Sequence, residues 1–121
     1  MLSLNPGIRY WLYQAPAAMG KSFDGLCGIV TNEMKAPLLS GDVFIFFNRR
    51  RTHLKMLQWQ QDGFGIYYKR LEQGTFERPQ PSMEGGSIIL TPQQLGLILQ
   101  GVSLKKVHYR KRYILPKRAW S

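Results

Sequence analysis

Cysteine is almost missing from this chain. Cys27 stands alone, which excludes an internal disulfide and any cysteine-rich zinc site. His53 and His108 are the only histidines, and neither an H-x-H nor an H-x-x-x-H pairing exists to grip a metal. No apolar run nears the ~20 residues that cross a bilayer; the longest, Val43–Phe47 and Ser87–Leu90, are strand-sized. The N-terminus lacks a charged segment followed by an apolar core and a small-residue cleavage site, so no secretory signal is expected and the cytoplasm is the expected compartment. Neither GxxxxGK[ST] nor GxGxxG occurs to cradle a nucleotide phosphate. Internal repeats and low-complexity tracts are also absent.

Acidic residues are the most informative shortage. There are seven, Asp24, Glu33, Asp42, Asp62, Glu72, Glu77 and Glu84, against seventeen lysines and arginines, for a net charge of +10. A two-metal nuclease or transposase needs about three acidic ligands at the ends of rigid elements. Here Asp42 and Asp62 belong to turns and Glu33 to an exposed helix face. The expectation is therefore a protein that is not an enzyme, with no cofactor, metal or small-molecule substrate. A pI of 10.1 makes a polyanion the partner to consider, since a domain above pI ~9 carries the electrostatic footprint of a nucleic-acid binder.

The chain has 121 residues, 44% of them hydrophobic and 20% charged, enough for one globular domain with its own core. Ile8–Tyr13 is aromatic and β-favouring and reads as a strand. Phe23, Leu26, Cys27, Val30 and Met34 recur at helical spacing, which predicts a helix from Lys21 to about Lys35, ended by Pro37. Val43–Asn48 is apolar on both faces, the pattern of a central strand covered on both sides. Leu54–Trp59 and Phe64–Lys69 flank Asp62-Gly63, a hairpin signal. Thr75–Arg78 is a further short strand, and Ser87–Leu90 another. Thr91, Pro92 and Gln94 form a capping box that opens a second helix carrying Leu95, Ile98, Leu99 and Val102, closed by Gly101. The predicted fold is α+β: an antiparallel β-meander of about five strands with two helices on one face. It forms a single domain over residues 1–104, followed by a basic tail over 105–121.

The cations cluster. No acid follows Glu84, and Lys105, Lys106, Arg110, Lys111, Arg112, Lys117 and Arg118 supply seven of the ten net charges. In the body, Arg49, Arg50 and Arg51 occupy the tip between two strands, and guanidinium forks suit phosphate. Lys55, Lys69 and Arg70 fall on strands or strand ends, interleaved with Trp59, Tyr67 and Tyr68. The candidate nucleic-acid-binding set is thus Arg49, Arg50, Arg51, Lys55, Lys69, Arg70, Lys105, Lys106, Arg110, Lys111 and Arg112. The charge does not separate DNA from RNA; an RNA surface would need Trp59, Tyr67 or Tyr68 exposed for stacking. His53 reads as a polar strand-edge residue and Cys27 as a small core residue.

Four segments, "MGKSFDGLCGIV", "VFIFFNRRRTHLKMLQW", "DGFGIYYKRLEQGTFERP" and "ILTPQQLGLILQGV", carry a resemblance to the TnpB-type accessory proteins, encoded by the second open reading frame of insertion sequence 66 elements of bacteria. Phe23-Asp24-Gly25-Leu26, Asn48-Arg49-Arg50, Lys55, Leu57, Asp62-Gly63, Lys69-Arg70-Leu71-Glu72, Gly74, Phe76, Pro79 and Leu90-Thr91 stand where that family's pattern has them. Ala18-Met19-Gly20-Lys21 departs from the family's Asp-Met-Arg-Lys. The resemblance implies a transposition accessory protein acting beside a separately encoded transposase, which carries the DNA-cutting chemistry. Joined to the charge, it gives the expected function: DNA binding through backbone phosphates in aid of that transposase. The alternative is a protein-interaction module that binds the transposase without touching nucleic acid, its charge serving solubility.

Overall fold

A computed structural model describes residues 7–79 and 86–101. Five strands and two helices form the α+β domain: β1 (Tyr10–Tyr13), α1 (Phe23–Ile29), β2 (Val43–Phe47), β3 (His53–Trp59), β4 (Phe64–Arg70), β5 (Ser87–Leu90) and α2 (Pro92–Gln100). α1 runs on into one π-helical turn, Val30–Met34, which ends on Lys35 in the left-handed region at φ +52°. The strand order is β4-β3-β2-β1-β5.

Two features of the arrangement differ from the sequence expectation. The sheet is mixed: β1 lies parallel to β2, while the other neighbouring pairs are antiparallel. A parallel neighbour requires a long crossover, and α1 supplies it. Only β2, β3 and β4 form a meander. The helices also pack on opposite faces of the sheet. Leu95 and Ile98 of α2 are buried with Leu12, Ile45, Leu54 and Met56, whereas Leu26, Ile29 and Val30 are buried with Phe44, Phe46 and Leu57. β2 decides this. All five of its residues are buried, so each face needs a cover; a fully buried aromatic such as Phe44 or Phe46 contributes roughly 1.5–3 kcal/mol. The two-faced apolar pattern of Val43–Phe47 already contained this answer, and a two-layer arrangement conflicts with it.

Smaller corrections follow from packing. Phe23 is largely exposed and Ile29 takes its place on the buried face of α1. Thr75–Arg78 joins no ladder; it is an extended segment fixed by the Phe76 N–H to the Arg51 carbonyl at 2.8 Å and by Phe76 stacked on Phe47 at 5.5 Å. α2 has the expected capping box, Gln94 N donating to Thr91 Oγ1 at 3.0 Å and Thr91 N to Gln94 Oε1 at 2.9 Å. Gly101 ends it at φ +81°, a conformation glycine adopts without steric cost. Val102, the last residue of its predicted face, lies outside the described residues.

Strand directions give the sheet two chemically different ends. β1, β2 and β4 finish at one end, where β3 and β5 begin. The opposite end holds the buried carboxylate of Asp42, which accepts from Arg9 N (3.1 Å), Arg9 Nε (3.0 Å) and Trp11 Nε1 (3.0 Å).

Candidate nucleic-acid interface

The tip between β2 and β3 is shaped by Asn48. Its Oδ1 accepts from the Thr52 and His53 N–H groups at 2.9 and 3.0 Å, and its carbonyl accepts from Arg51 N at 3.0 Å. Arg51 takes the left-handed conformation at φ +57°, which turns the chain back into β3. Closing the turn on Asn48 leaves Arg49 and Arg50 exposed and Arg51 half-buried.

Register then brings the second group of cations to the same end. His53 pairs with Arg70 and Leu54 with Lys69, and the Leu71 N–H donates to the Thr52 carbonyl at 2.8 Å. Paired residues share a face, so Lys69 projects on the α2 side with Leu54, and Arg70 on the α1 side with His53. Arg70 is exposed and paired with Glu72 at 3.0 Å; such a surface pair contributes about 0–1 kcal/mol, so a phosphate can displace it. Leu99 and Gln100, at the end of α2, line a cavity of about 300 Å³ with Lys69, Arg70 and Leu71. The described chain therefore reaches Gly101 at this end, four residues before Lys105.

Lys55 leaves the expected set. Only 8% exposed, it stands between Phe46 and Tyr68 in register on the α1 face. Its Nζ donates to the carbonyls of Met19 (2.7 Å) and Lys21 (2.8 Å) and sits 4.7 Å from the centre of the Tyr68 ring. An ammonium surrounded in this way secures the loop that enters α1 and has no reach to an outside phosphate. Lys105, Lys106, Arg110, Lys111 and Arg112 lie outside the described residues.

The aromatic residues form no common platform. Tyr67 is packed against the α2-side core, and Trp59 is half-buried against Phe64 at 5.0 Å, at the far end of the sheet. Tyr68 alone of the three is exposed, at 52%. His53 opens β3, an interior strand, paired with Arg70 of β4, its Nδ1 within 2.8 Å of Thr52 Oγ1. Cys27 is half-buried against the α1-side core, and burial, with a smaller effect of Asp24, pushes its thiol pKa up.

One cation was missed. Arg78 NH2 donates to the Gln14 carbonyl at 2.5 Å, and Arg78 lines a cavity of about 210 Å³ with Arg49 and Arg51. No local signal marks it, because the bond joins positions 64 residues apart in sequence.

These elements define a class of protein: a small, basic α+β domain with Arg49, Arg50, Arg51, Lys69 and Arg70 at one end of a mixed sheet. The chain belongs to the IS66 Orf2-like family, whose model matches residues 8–109. Two uncharacterized proteins of Sinorhizobium fredii (strain NBRC 101917 / NGR234) are similar to it. One, y4hO, is 32% identical over 102 residues, 84% of this chain and 87% of its own length. The other, y4jC, is 25% identical over 107 residues, 88% of this chain and 90% of its own. No solved structure matches the chain. The family is one of transposition accessory proteins, in line with the motifs read from the sequence, and no helix among the described residues is long and apolar enough to cross a membrane.

Proposed function

We propose that this protein is a non-catalytic accessory factor that binds DNA through backbone phosphates and assists the transposase of the same element. The observation that carries the reading is the convergence of Arg49, Arg50, Arg51, Lys69 and Arg70 at one end of the sheet, the end at which the described residues finish at Gly101, four residues before Lys105 in sequence. Guanidinium and ammonium groups so placed form a sequence-independent anion surface. Family membership supports the transposase as partner.

The test is a salt titration of duplex binding. Each phosphate neutralised contributes a slope of about −0.9 in log affinity against log salt. Replacing Arg49, Arg50 and Arg51 with alanine is expected to weaken binding alike for unrelated sequences and to make the slope shallower by about 0.9 for each phosphate no longer neutralised. A variant with unchanged affinity and slope rejects the arginine tip; a wild-type protein that binds no duplex at low salt rejects the whole reading. Ile89, 52% exposed on the edge strand β5, supports the second reading of a transposase-binding module. Co-purification with the transposase in high salt and nuclease, without DNA binding, would favour that one.

A further inference from the structure

The cavity beside the arginine tip lies beyond the carboxyl ends of the parallel pair β1 and β2, and its lining runs from Leu12 to Pro16 and from Phe47 to Arg49. In open sheets that mix strands and helices, a crevice forms at such a place when neighbouring connections depart to opposite faces. Here the crevice lies between the connection after β1 and the segment after β4, a strand that is not a sheet neighbour of β1. After β1 the chain turns to the α1 side, where Ala17 is buried and its N–H donates to the Phe47 carbonyl at 2.9 Å. The segment after β4 passes on the α2 side, where Phe76 is buried. Arg78 reaches back across the gap to Gln14.

Among the described residues, Arg49, Arg51 and Arg78 line this cavity, and no aspartate or glutamate does. We propose that it seats the terminal phosphate of a DNA strand; the proposal rests on the DNA-binding reading above and gives it a specific ligand group. A backbone diester is flanked by sugars on both sides and suits the open tip. A chain end can enter a recess about 210 Å³ in volume. A terminal phosphomonoester also carries close to two charges at neutral pH and three acceptor oxygens, a better match for several arginine forks than a singly charged diester.

The experiment compares one labelled blunt duplex carrying a 5′-phosphate, a 3′-phosphate or hydroxyls only, alongside a covalently closed minicircle of the same sequence, each titrated with the full chain. A phosphorylated end is expected to bind about tenfold more tightly than a hydroxyl end, the scale of a charge-assisted hydrogen bond. Whichever phosphate gives the gain identifies the end that is held. Arg78→Ala and Arg49→Ala should each bring the ratio of phosphorylated to hydroxyl affinity close to one. Arg49 is exposed in a turn closed by other groups, so its variant tests the idea even if Arg78→Ala disturbs the 75–79 segment. A ratio of one in the wild type, with the minicircle still bound, overturns the phosphate seat and leaves general DNA binding standing. A ratio that survives both substitutions also overturns the seat. Failure to bind the minicircle and every duplex removes both proposals.

Discussion

Lys55 and Arg50 carry the same charge five residues apart, yet only Arg50 faces solvent. The difference lies in strand alternation: Lys55 shares its face of β3 with Leu57, under α1, and its ammonium is satisfied by the Met19 and Lys21 carbonyls. Those carbonyls belong to the segment where the chain departs from the family's Asp-Met-Arg-Lys, so Lys55 fixes an irregular stretch by its backbone, independently of side-chain identity there. Lys55→Met keeps the apolar stem and removes the donor. It is expected to lower unfolding free energy by about 1–3 kcal/mol, read by urea denaturation, with the salt slope of DNA binding unchanged. A slope shallower by about 0.9 would return Lys55 to the interface. Asp42 makes a second residue-scale case. Burial alone would raise its carboxyl pKa, but hydrogen bonds from Trp11 and the Arg9 N–H, the Arg9 charge and Ser40 together hold it below the ordinary carboxylate value. A folded pKa below the unfolded one stabilises fully above the unfolded value of about 4, and that contribution disappears as pH falls through the folded value. The urea midpoint should therefore drop below about pH 4 more steeply in the wild type than in Asp42→Asn; equal pH profiles would show that Asp42 adds nothing to acid sensitivity.

Among the elements, α2 was the most legible in sequence because its signals are local. A capping box depends on four successive residues, and the reciprocal Thr91–Gln94 bonds follow from them. Thr91→Ala removes one acceptor and is expected to cost about 1 kcal/mol, seen as a lower melting temperature; no change would mean that packing of Leu95 and Ile98 alone holds the helix. α1 was less legible. Its spacing identified a helix, but the exchange of Phe23 for Ile29 on the buried face, and the π-helical turn that buries Met34, depend on the sheet beneath. The strand predicted at Thr75–Arg78 reflects the same limit. Its residues favour extended backbone, but the Phe76 N–H goes to the Arg51 carbonyl, in a turn, instead of to a strand edge.

At the scale of the whole molecule, the proposed interface is a product of register. A hairpin puts the start of one strand beside the end of the previous one, and two successive hairpins bring Lys69 and Arg70 back to Arg49–Arg51. The triple arginine variant tests the arginine tip of this assembly as a group, since its outcome does not depend on a single cation. By itself the sequence determined the five strands that form, though it added one at Thr75–Arg78 that does not, together with two helices, the hairpin at Asp62-Gly63, the arginine tip and the family. Those features rest on residue type and short-range spacing. Tertiary structure alone decided that β1 inserts parallel beside β2, that the helices take opposite faces, that Lys55 turns inward and that Arg78 joins Arg49 and Arg51. Each of these depends on which distant segments share a surface, and the energy of burying both faces of β2 acts only once those segments have met.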